Sequence, residues 1–99
     1  MKLIITESKR NRLAINWLED EYSELKLFKE TGGSVLSVYY NGMFIMKYGY
    51  IAKILLVSSE IWDFLRHMFG FNNDEISKTL IEWTNKKFRW GAKECERIN

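Results

Sequence analysis

The spacing of apolar positions changes along this chain, and each change predicts an element. Residues 2–5, Lys-Leu-Ile-Ile, read as a short strand, and Thr6, Glu7 and Ser8 follow with side-chain oxygens suited to a helix start. Over residues 8–24, Leu13, Ala14, Trp17, Leu18 and Tyr22 recur at helical spacing, which predicts one core-facing stripe. Lys9, Arg10, Arg12, Glu19, Asp20 and Glu21 fall mainly outside it.

From 25 to 57 the period becomes that of strands: 25–30, a glycine-rich turn, 35–40, Asn41-Gly42, 43–48, and 51–57 after a bend at Gly49-Tyr50. Asn-Gly between two β-rich runs is a strong hairpin signal, because both turn positions need positive φ. Regular pairing outward from that turn sets Leu36, Val38, Tyr40, Met43, Ile45 and Lys47 on one face, and Val35, Ser37, Tyr39, Phe44, Met46 and Tyr48 on the other. Both faces are then largely apolar, so helices, barrel closure or a second subunit must cover the second.

Ser58, Ser59 and Glu60 open a second helix with Ile61, Trp62, Leu65, Met68 and Phe69 on its apolar face, and Gly70 ends it in a left-handed cap. Asn72 and Glu75 have capping-box spacing, and a last helix runs over 73–88. The tail from Gly91 to Asn99 has few apolar anchors and is expected to fray. The order is α+β with a local antiparallel sheet.

Ninety-nine residues make one domain. A net charge of +2 argues against a strong polycation. The longest uncharged run, 31–46, is broken by glycines and too short to span a bilayer, and the N-terminus lacks the pattern of a secretory signal. One cysteine, Cys95, excludes an internal disulfide and a cysteine zinc site, and fits a reduced, intracellular setting. One histidine, His67, excludes a His-rich metal site within one chain.

Nothing here assembles a catalytic group. His67 has only Asp63 at helical spacing, Cys95 has no activating neighbour, and Gly32-Gly33-Ser34 lacks the lysine of a phosphate loop. Glu19, Asp20, Glu21 and Glu24 cluster, but without a calcium-loop pattern. The 61–83 segment has the glycine spacing of a helix-turn-helix. Against that motif, Arg66 stands where a small residue should pack and Asp74-Glu75 would face phosphates. The expectation is a non-enzyme without metal or cofactor.

Basic and aromatic residues point elsewhere. Residues 84–93 carry Lys86, Lys87, Arg89 and Lys93 with Phe88 and Trp90 and no acid. Counterion release rewards such charges, and bases stack on aromatic rings. On the strands, Tyr40, Asn41, Lys47, Tyr48, Tyr50 and Lys53 gather near the hairpin turn and the next bend. Tyrosines with lysines on strands are what single-strand binding modules use, although they also make ordinary cross-strand pairs and interfaces. The candidate nucleic-acid-binding residues are therefore Tyr40, Asn41, Lys47, Tyr48, Tyr50, Lys53, Lys86, Lys87, Arg89 and Trp90.

Residues 2–8 resemble the opening of small proteins from tailed phages and marine metagenomes. The run from Ile61 through Trp62, Phe64, Leu65, Met68, Phe69, Gly70, Phe71, Glu75, Ile76, Leu80, Ile81 and Trp83 is similar to their C-terminal helical pair. The whole layout resembles a metagenomic family of cyanophage origin with an Sm/LSm-like fold. That resemblance implies an N-terminal helix, a strongly bent antiparallel sheet closing into a small barrel, and a C-terminal helical extension from about residue 59. It also implies a homo-oligomeric ring that binds single-stranded RNA, or DNA, in phage nucleic-acid processing in the cytoplasm of the infected host. No membrane or small-molecule substrate is implied. The alternative is a phage adaptor or structural component without a nucleic-acid role, since four tryptophans and a two-sided apolar hairpin suit protein contacts.

Overall fold

Asn41 and Gly42 both take positive φ, 51° and 78°, and close the central hairpin as their pairing predicts. The computed structural model describes residues 7–30 and 32–98; the strand expected over 2–5 and the cap expected at Thr6 lie outside them. The hairpin strands are β2 (Val35–Tyr40) and β3 (Met43–Gly49). Next to the turn their pairing is regular, with Tyr40 opposite Met43 and Tyr39 opposite Phe44. Then a β-bulge between Val38 and Tyr39 gives β3 one extra residue, and Val38 meets Met46 instead of Ile45.

That single residue corrects the expected faces, because a one-residue slip reverses every side chain beyond it. Leu36, Val38, Met46 and Tyr48 now share one face and are all buried. Ser37 and Lys47 face each other on the opposite side, in line with Phe28 of β1 (Lys26–Lys29). One face of the hairpin is core and the other is mixed.

The helices all serve the apolar face. In α1 (Glu7–Glu21), Ala14, Ile15 and Leu18 are buried, whereas Leu13 is 52% exposed, contrary to the expected stripe. Polar bonds to α3 (Asn73–Phe88) turn the helix: Arg10 meets Glu75 at 2.7 Å, and the Asn11 amide donates to Thr79 Oγ1 at 2.9 Å. Helix α2 (Ser59–Phe69) adds Ile61, Trp62 and Leu65, and Gly70 caps it in the left-handed conformation with φ 67°. The capping box of α3 forms as expected, with Asn72 Oδ1 accepting from the Glu75 amide and Glu75 Oε1 accepting from the Asn72 amide. Ile76, Leu80 and Trp83 complete one core with Leu55 and Val57 of β4 (Ile54–Val57). Each such side chain contributes roughly 1.5–3 kcal/mol by leaving water.

The tail does not fray. Residues Glu94–Arg97 form β5, parallel to β4, after the crossover through α2 and α3. The region from residue 59 is thus part of the sheet as well as its helical cover. The sheet order is β1-β2-β3-β4-β5. β1 and β5 lie at opposite edges, so the sheet is mixed and does not close into the expected barrel, nor does it curl strongly. Polar clamps replace the missing apolar anchors. The Asn85 side chain accepts from the Ala92 amide at 2.8 Å and donates to the Ala92 carbonyl at 3.1 Å. The amides of Lys93 and Glu94 both donate to the Lys53 carbonyl, and Ser77 Oγ donates to the Cys95 carbonyl.

Candidate nucleic-acid interface

With three helices on one side, the other side of the sheet has no described helix against it. Register gives its rows. Phe28, Ser37, Lys47, Leu56 and Glu96 lie in one, and Lys26, Tyr39 and Phe44 in the next. Phe28 meets Tyr39 edge-on at 5.3 Å, and Tyr39 meets Phe44 at 5.8 Å. Phe28 is 53% exposed and Phe44 36%, so these rings hold one another in place while keeping free surface. Beside them lies a depression of about 460 Å³ lined by Lys26, Phe28, Glu30, Ser37, Tyr39 and Gly42. Glu30 accepts the Ser37 hydroxyl at 2.9 Å. Two lysines therefore flank an aromatic corner that also contains one carboxylate.

Of the residues singled out in the sequence, Lys47 stands on this face, half-buried opposite Ser37. Asn41 is exposed in the turn above it. Tyr40 turns to the helix side and packs edge-on against Tyr22 at 5.1 Å. Tyr48 is 1% exposed; its hydroxyl donates to the Trp90 carbonyl at 2.9 Å, and its ring stacks on Trp90 at 4.8 Å. Neither face of a base can reach that ring. Trp90 is itself held between Tyr48 and Phe88, 4.4 Å away. Lys87 reaches Glu19 at 3.6 Å.

Tyr50, Lys53, Lys86 and Arg89 are exposed. Lys53 and Arg89 each hold φ at 57°, Lys53 where the chain enters β4 and Arg89 as the C-cap of α3. The Lys53 carbonyl accepts from the Lys93 amide, which brings the tail backbone to the end of β3 away from the Asn41 turn. The ten candidates thus divide between the two ends of the strands and the core. Lys26, Phe28 and Phe44 escaped the sequence reading. Alternation already put Lys26 and Phe28 on one face, but joining them to Lys47 requires the bulge.

Cys95, Asp63 and Glu19 are each buried or bonded. Cys95 is 8% exposed, and burial, followed by the nearby Glu96 charge, pushes its thiol up to about 12. Its expected place in a polar tail is corrected by β5, which turns it into the core beside Leu55. His67 is exposed, and Asp63 pairs with Arg97 at 3.2 Å. Glu19 accepts Trp83 Nε1–H at 2.8 Å. Among the described residues no cluster of His, Cys, Asp or Glu has metal-binding geometry, and no helix is long and apolar enough to cross a membrane. The chain matches no protein-family model, no curated protein and no solved structure.

Proposed function

We propose that this protein binds single-stranded nucleic acid, RNA or DNA, as a non-enzymatic homo-oligomer, with the bases on the open face of its sheet. The observation that carries the reading is the Phe28–Tyr39–Phe44 corner flanked by Lys26 and Lys47. Aromatic rings on an uncovered sheet offer stacking platforms that tolerate any base, and lysines beside them meet the phosphates. Lys53, Lys86 and Arg89 at the far end of the strands add long-range attraction. Glu30 supplies an acceptor within the depression for an exocyclic amino group. The reading keeps the nucleic-acid part of the Sm-like expectation and discards its closed barrel. The resemblance to phage proteins supports a role in nucleic-acid processing in the infected cell's cytoplasm.

Fluorescence anisotropy on a labelled single-stranded oligonucleotide tests it. Replacing Phe28 and Phe44 together by alanine should weaken binding at least about tenfold, since stacking contributes ~1–3 kcal/mol per base. Replacing Lys26 and Lys47 by alanine should flatten the salt dependence by about 0.7 per lysine. Affinity unmoved by both pairs would remove the open face from the site. The adaptor reading draws on Leu27, Phe28, Met43 and Ile51, large apolar side chains left exposed. It predicts protein contacts that persist at high salt.

A further inference from the structure

The two edges of the sheet carry opposite chemistry. All four residues of β1 are exposed, with Leu27 at 44% on the helix side and Phe28 at 53% on the open side. β1 presents Lys26 and Lys29, whereas β5 presents Glu94 and Glu96 beside Arg97, whose guanidinium pairs with Asp63 of α2. Lys26, Lys29, Glu94 and Glu96 make no ion pair among the described residues. Two β5 edges meeting would set glutamates against glutamates, whereas β1 against β5 sets a lysine against a glutamate, which is the charge pattern of a head-to-tail contact.

The backbone parity agrees. The Glu30 amide donates to the Val35 carbonyl, so by alternation Leu27 and Lys29 turn their N–H and C=O groups outward from β1. The Glu94 and Ile98 amides donate to Lys53 and Val57, so Cys95 and Arg97 turn outward from β5. The Cys95 carbonyl already accepts from Ser77 at 3.1 Å and retains a second lone pair. In the sheet order β1 and β5 run antiparallel to each other. A second copy added edge to edge thus continues the sheet with its helix face and open face aligned.

We infer that β1 of one copy pairs antiparallel with β5 of the next, Leu27 opposite Cys95 and Lys26 opposite Glu96. Leu27 then enters the shallow groove of about 380 Å³ between β5 and α3, beside Ile81. The like-charged pair this creates, Lys29 with Lys93, falls at the last residue of β1 and just before β5, where both side chains reach water. Phe28 falls opposite Glu94. Sliding two residues one way sets Phe28 against Glu96 and loses the Lys26–Glu96 pair; sliding the other way sets Lys26 against Glu94 but puts Leu27 against Lys93. The contact deepens the homo-oligomer named above by assigning its interface; it shares Lys26 with the open-face site, so its test is made without nucleic acid.

Light scattering on a sizing column, across protein concentrations and free of nucleic acid, tests the contact with Lys26→Glu, Glu96→Lys and both combined. Wild type should assemble, and each single variant should associate on the order of tenfold more weakly. An equimolar mixture of the two single variants should regain wild-type mass, because every interface in an alternating assembly is again complementary. The double variant should do the same. Both sites are exposed, and circular dichroism checks that each variant is folded. A monomeric wild type, an assembly unchanged by either substitution, or a mixture that stays dissociated would each overturn the inference. Nucleic-acid binding by a monomer would overturn this contact and leave the open-face site standing.

Discussion

Cys95 connects a buried residue to a measurable alkaline sensitivity. Its folded thiol titrates near 12, above the unfolded value of 9.0. Below pH 9 both states hold the proton and stability is unaffected. As pH rises from 9 toward 12, only the unfolded state releases it, so stability falls by up to about 1.4 kcal/mol per pH unit. Urea unfolding at several alkaline pH values should show that slope, and Cys95→Ala should flatten it between pH 9 and 10. Tyr22 and Tyr48 are also raised, in both cases by burial first, so part of the slope above pH 10 should survive the substitution. An identical slope in the variant would mean that Cys95 is exposed. Thiol reagents should likewise modify the native protein far more slowly than the unfolded chain.

Among the elements, β3 and β5 depend most on features of little hydrophobic weight. Deleting Ile45 removes the bulge but leaves Val38 opposite Met46 and Leu36 opposite Tyr48, so the variant should still unfold cooperatively in urea, with a lower midpoint from the lost buried side chain. A transition that loses its cooperativity would mean that the bulge itself holds the register of the hairpin. Asn85→Ala removes both clamps on Ala92 and should raise hydrogen exchange across β5 while leaving the β2–β3 hairpin protected. The hairpin turn, the α2 cap and the bounds of α3 were legible because local chemistry decides each one: Asn-Gly at positive φ, Gly70 at a left-handed cap, and Asn72 with Glu75. The bulge was not legible. Val38 can face Ile45 or Met46 with similar local preference, and only burial against α1 and α3 chooses. β5 was hidden for a related reason. Its Glu-Cys-Glu-Arg run has one apolar residue, and its anchors, Asn85, Ser77 and Lys53, lie outside the tail in other elements and turns. The candidate site inherited both gaps. The tyrosine and lysine spacing drew attention to the hairpin, but Tyr48 belongs to the core, and Phe28 joins Lys47 only through the bulged register.

At the scale of the whole molecule, three helices spend themselves on one side of a five-stranded sheet. That leaves one broad face and two charged edges. The face has stacking rings and cations, and the edges have complementary charges. Continuing the sheet from copy to copy would extend the aromatic corner into a repeated track, which suits a strand of nucleic acid longer than one protomer could hold. The most direct measurement is an amide NMR titration of the protein with single-stranded oligonucleotide at low salt. The account predicts shifts concentrated at Lys26, Phe28, Tyr39, Phe44 and Lys47, reversed by added salt. Shifts confined to the helix side, or none at saturating oligonucleotide, would contradict it.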